Sequence, residues 1–92
     1  IDIGDNCLIA PFAYFVDANH GIKGNKLINQ QDLEAKPIKI HNDVWIGANV
    51  TIIGGVEIGE GSVIASQSLV NKNIPSYSVY GGIPAKFIKD RA

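Results

Sequence analysis

The 92 residues include no methionine, one cysteine, one tryptophan and two histidines. Each scarcity excludes something. Cys7 alone forms no internal disulfide and no multi-cysteine zinc site. Two histidines and one cysteine leave a single-chain zinc centre short of its usual ligands, so no metal is expected. The formal net charge of −1 supplies no global attraction to nucleic acid. Although 46% of the residues are hydrophobic, no apolar run approaches the ~20 residues of a helical membrane span. Neither GxxxxGKS/T nor GxGxxG occurs, so Gly54-Gly55 and Gly81-Gly82 are not phosphate loops. The start, Ile1-Asp2-Ile3-Gly4-Asp5, has neither the basic residues nor the apolar core of a signal peptide. With no methionine, the start of translation is expected to lie outside these residues, and the chain to be a fragment. Its length suits one small domain.

What the sequence does have is a period of six. Ile3, Ile9 and Phe15 form one series, and Ile40, Ile46, Ile52, Ile58, Ile64 and Val70 another. Four places after each comes a residue that is mostly small or β-branched, such as Ala13, Val44, Val50, Val56, Ser62 and Ser68. Gly or Ala often follows the large residue directly, as at Gly4, Ala10, Gly47, Gly59 and Ala65. Turn-forming pairs such as Asn42-Asp43 and Glu60-Gly61 lie between. Period six matches neither a 3.6-residue helix nor plain strand alternation. It fits a short strand, a turn and another short strand, with Ile and Val favouring the pleated surface. Three such units close a triangular coil of 18 residues. Ile40 is then expected beneath Ile58 and Ile46 beneath Ile64, each coil burying its apolar side against its neighbours. A β-sandwich with regular turns is the alternative, and the strict spacing over residues 40–74 argues against it.

The register breaks once, between Phe15 and Ile40. Residues 1–16 and 38–74 read as coils, and polar residues near 17–37 read as a loop thrown out of the solenoid. Long loops in compact domains commonly carry function. Residues 75–92 form a tail that leaves the repeat after Ile74, where Pro75, Gly81, Gly82 and Pro84 preclude a long helix. Charge is uneven along the chain. Residues 1–70 carry four Lys against eight acids, whereas the last stretch carries Lys72, Lys86, Lys89 and Arg91 against Asp90 alone. Of the histidines, His20 opens the loop and has the chemistry of a general base near neutral pH. His41 reads as outward-facing and solvated. Trp45 precedes the inward Ile46 and should therefore point outward, as a sugar platform or an interface residue. Lys86 and Lys89 suit phosphates or plain solvation. Asn19, Gln30, Gln31 and Asp32 have the polarity to meet hydroxyl groups.

The strings VWIGANVTI (residues 44–52) and GGIPAKFIK (residues 81–89), with the loop motif Asn19-His20-Gly21, resemble the hexapeptide-repeat acetyltransferases. The similarity is greatest to the maltose/galactoside O-acetyltransferase branch and the related surface-polysaccharide O-acetyltransferases. It spans nearly all of the chain. It implies an all-β, left-handed parallel β-helix, a hand opposite to the usual crossover rule. It also implies a cytoplasmic homotrimer with active sites between subunits, no membrane insertion, acetyl-CoA as donor, and a sugar or polysaccharide hydroxyl as acceptor. His20 matches the family's catalytic histidine. Ala48 matches the oxyanion position, where some members carry Ser, so only its backbone N–H would serve. Asn19 and Trp45 fall beside the acceptor. Ala48, Ser66, Asn71 and Lys72 fall along coenzyme A, and Lys86 and Lys89 near its phosphates; Asn71 stands where the family often has Thr. Members of this branch carry a further N-terminal portion. Competing readings are a truncated, catalytically impaired trimeric module, an antibiotic O-acetyltransferase, and a γ-class carbonic anhydrase, whose three-histidine zinc site this chain does not match.

Overall fold

A computed structural model describes all residues, 1–92. Short strands wind around three faces of a prism, and the whole chain, excursion included, extends over 49 × 24 × 23 Å. The first face holds β1 (Asp2–Ile3), β6 (Lys39–Ile40) and β9 (Glu57–Ile58). The second holds β2 (Leu8–Ile9), β7 (Trp45–Ile46), β10 (Val63–Ile64) and β12 (Ser78–Gly82), edged by β13 (Ala85–Asp90). The third holds β3 (Tyr14–Val16), β8 (Thr51–Ile53) and β11 (Leu69–Val70). All pairings on these faces are parallel except β12 with β13. This is a left-handed parallel β-helix: the triangular coil is expected from the repeat, and its hand from the resemblance.

The hexad series forms the core. Ile40 pairs with Ile58, Ile46 with Ile64 and Ile52 with Val70, and all six are at most 1% exposed. Ile3 and Ile9 pair with Ile40 and Ile46 in the same register. Buried serines fill the narrower places: the Ser62 and Ser78 hydroxyls donate to the Pro75 carbonyl, and that of Ser68 donates to Ala65. No buried side-chain polar atom lacks a partner, which is what low-dielectric burial requires.

The corners follow from residue chemistry too. Stacked residues Asn6, Asp43, Gly61 and Tyr77 all turn the chain through positive φ, as do Phe12, Asn49 and Gln67 at the next corner. Asn, Asp and Gly adopt this left-handed conformation at low cost. After Ile46, a side chain at position 47 would drive its Cβ to 2.7 Å from the Ser66 backbone nitrogen. Close coil stacking therefore requires Gly47.

Residues 17–37 are more than an irregular loop. β4 (Ala18–His20) pairs antiparallel with β5 (Leu33–Ala35), and a single 3-10 turn spans Ile28–Gln30. Pairs across this excursion, such as Ile3 with Ile40, are 37 residues apart instead of 18, so it adds 19 residues without disturbing the register. The C-terminal segment also differs from the sequence reading. Ile74 bridges to Ile58, and β12 joins the second face with Val79 opposite Val63. The solenoid thus continues past Ile74 before β13 folds back on β12. Here the offset falls to 16 residues, Ile64 to Tyr80, which hides the continuation from a count in sixes.

Candidate active site

The candidate residues fall on two edges of the prism and on its second face. At the edge between the third and first faces, the excursion leaves the solenoid. His20, the last residue of β4, is exposed and lies across from Leu33. It lines a depression with Asn19, Ile22, Lys23, Ile28 and Glu34. Asn71 and Lys72 follow β11 at this same edge, two coils further on, both exposed.

The other edge, between the second and third faces, holds Ala48 and Ser66 in adjacent coils. The Ala48 N–H donates to Ser66 Oγ at 3.1 Å. The amide matched to the oxyanion position thus already has a partner, and that partner is a hydroxyl which keeps a proton of its own to donate.

Trp45 lies on the second face and is 55% exposed, pointing outward as its place before Ile46 requires. It stands in line with Leu8, Val63 and Val79. Lys86 and Lys89 join this outer face by a device absent from the sequence pattern. The β12–β13 pairing shifts register between Val79 and Tyr80, so Val79 opposes Lys89 while Tyr80 opposes Phe87 and Gly81 opposes Lys86. Three residues apart, the two lysines would ordinarily point to opposite sides. The bulge returns them to one side. Phe87 takes the other side and meets Tyr80 edge-on, ring centres 5.9 Å apart.

Arg91 secures the end of β13. Its guanidinium donates to Asp43 Oδ2 at 2.8 Å and to the Gly61 carbonyl at 3.0 Å, and lies 5.9 Å from the Tyr77 ring centre. The Tyr77 hydroxyl donates to Glu60 at 2.7 Å. That hydrogen bond, with the Glu60 charge, raises the Tyr77 pKa above its ordinary value, since ionising the phenol would lose the bond and oppose two anions. The hydrogen bond and charge of Asp43 likewise raise the Arg91 pKa. Sequence reasoning noted Arg91 only as part of a basic tail; its partner lies 48 residues away. His41, read as solvated, is half-buried with Nε2 3.2 Å from Glu57 Oε2. Gln31, read as a possible acceptor contact, is turned inward and bound to backbone.

His20 and the Trp45–Ala48–Ser66 group do not meet within one chain. The third face, with β3, β8 and β11, lies between their edges. Outward apolar residues accompany this division. Leu8 and Trp45 on the second face and Tyr14 on the third are more than half exposed, whereas the outer side of the first face carries Asp2, Lys39 and Glu57.

Residues 37–72 match the model of the bacterial transferase hexapeptide family (six repeats). The galactoside O-acetyltransferase of Escherichia coli (strain K12) is 40% identical over 98% of this chain, which covers 44% of that protein. A maltose O-acetyltransferase from Clostridium difficile 630 superposes with a TM-score of 0.92 at 38% identity, over 99% of this chain and 48% of that one. A hexapeptide-repeat acetyltransferase from Vibrio cholerae, solved with acetyl coenzyme A, gives 0.88 at 41% identity, over 98% of this chain and 49% of that one. The chain thus spans just under half the length of each of these three proteins.

Proposed function

The chain belongs to the hexapeptide-repeat acetyltransferase family, and from that footing we propose that it forms part of an acetyl-CoA-dependent O-acetyltransferase acting on a sugar or polysaccharide hydroxyl. The observation that carries this reading is the division of candidate groups between two edges of the prism, with outward apolar residues on the second and third faces. A neighbouring copy set against those faces would bring the His20 edge of one chain to the Trp45–Ala48–Ser66 region of the next. Three copies arranged cyclically make such sites equivalent. This supports the homotrimer implied by the resemblance.

In this arrangement acetyl-CoA lies along the groove between copies. Lys86 and Lys89 on one outer side of β13 meet its phosphates as point charges. Ser66, Asn71 and Lys72 border the pantetheine arm, and Trp45 and Asn19 border the acceptor. The His20 imidazole accepts the proton of the acceptor hydroxyl while the oxygen attacks the thioester carbonyl. The resulting oxyanion accepts from the Ser66 hydroxyl, whose oxygen is itself fixed by the Ala48 N–H of the adjacent coil. Collapse expels the coenzyme A thiolate, which takes the proton back from His20 and leaves as the thiol.

Release of free thiol from acetyl-CoA, measured with galactoside and maltose acceptors, tests the reading. Replacing Lys86 and Lys89 together by Ala is expected to raise KM for acetyl-CoA by about tenfold with little change in kcat, since each exposed charge pair contributes roughly 0.2–1 kcal/mol. The difference should shrink at high salt. An unchanged KM would put the phosphates elsewhere.

A further inference from the structure

One side chain organises the part of the excursion nearest His20. Gln31 Oε1 accepts the Lys23 N–H at 3.0 Å, and its Nε2 donates to the carbonyls of Lys26 at 2.9 Å and Lys23 at 3.2 Å. Three main-chain groups therefore end on a single amide. Residues 23–26 have no strand ladder to hold them, because β4 ends at His20 and β5 begins at Leu33. The ladder itself closes with the Gly21 N–H donating to the Asp32 carbonyl at 3.2 Å.

Gln31 also depends on the residue beside His20. A Cβ at position 21 would come within 2.7 Å of Gln31 Oε1, 2.9 Å of its Cβ and 3.3 Å of the Asp32 carbonyl oxygen. Any side chain there would push the glutamine out of its place. The turn it secures supplies Ile22 and Lys23 to the wall of the depression that holds His20. Because both ends of the amide are engaged internally, Gln31 is not an acceptor contact.

We propose that Gln31 is a positioning residue for acceptor binding, fixing the turn over residues 21–26 so that the depression beside His20 is formed before the acceptor arrives. The proposal rests on the reading of His20 as the base. Its physical content is preorganisation: a wall already ordered does not have to be ordered at the cost of acceptor affinity.

Two readouts test it. In Gln31→Ala, hydrogen exchange at the Lys23 amide should accelerate by about two- to tenfold, the scale of one lost hydrogen bond, while the amides of core residues such as Ile46 and Ile64 exchange as before. In the same variant KM for the acceptor should rise by about tenfold, with KM for acetyl-CoA unchanged and kcat at saturating acceptor near wild type. Gln31→Glu keeps an acceptor for Lys23 but sets carboxylate oxygens against two carbonyls, so it should resemble Gln31→Ala. Gly21→Ala should reproduce both effects with the glutamine still present. Unchanged exchange at Lys23 would overturn the hold on the turn. Faster exchange with an unchanged acceptor KM would overturn its role in binding. A wild-type protein that transfers no acetyl group to any sugar would instead overturn the proposed function and the acceptor role with it, and the exchange measurement would still decide whether Gln31 holds the turn.

Discussion

Replacing His20 by Asn should lower kcat for acetyl transfer by about 10²–10⁴-fold, the usual contribution of a positioned general base. Asn retains a polar group of similar reach but takes up no proton near neutral pH, so the change removes the chemistry and leaves the packing. His20 is exposed on β4 and makes no core contact, so stability should remain within about 0.5 kcal/mol of wild type. KM for acetyl-CoA should change little, because the donor contacts are assigned to Lys72, Lys86, Lys89 and the Ala48–Ser66 edge. A loss in kcat without a rise in KM is the signature of an interaction made in the transition state alone. Steady-state kinetics with both substrates varied distinguish these terms. Equal kcat in His20→Asn and wild type would remove the imidazole from the mechanism.

The largest structural effect is expected at Ile58. It is fully buried, pairs with Ile40 in the coil before, and bridges to Ile74 in the coil after. Ile58→Ala should destabilise the protein by about 2–5 kcal/mol, combining lost apolar transfer with a cavity that stacked coils collapse poorly around. In a solenoid this weakens two coil–coil interfaces at once, and each contributes separately to the whole. Ile22→Ala removes the same atoms from a residue of the excursion that is 75% exposed, and should cost well under half as much. Urea unfolding at one fixed protein concentration measures both, since association would otherwise shift the apparent values. Equal losses at the two positions would contradict the stacked core.

Much of this fold was legible because its determinant is a spacing. Inward isoleucines at period six require a short strand per face and an 18-residue coil, and the pairs Ile40–Ile58 and Ile46–Ile64 follow. Legibility ended where the spacing did. The offset from Ile64 to Tyr80 is 16 residues, so β12 looked like an exit from the solenoid rather than another turn of it. The shared side of Lys86 and Lys89 comes from a bulge, which no local composition announces. The Arg91–Asp43 pair joins residues far apart in sequence, and polar pairs of that kind have no periodicity to betray them. Gln31 was visible as a polar loop residue, but whether its amide faces solvent or backbone depends on the turn it closes. His20 and Trp45 could each be singled out from the sequence. Their placement on different edges needed the order of the three faces.

That placement is the centre of the account, and mixing two variants tests it most directly. His20→Asn keeps the Trp45 side intact, and Trp45→Ala keeps the His20 side intact. Each alone should transfer acetyl groups poorly. Unfolded together and refolded as mixed oligomers, they should regain activity in roughly a quarter of the sites, the share that random cyclic assortment gives to an intact His20 beside an intact Trp45. Activity no greater than the sum of the separate variants would contradict a site built between copies.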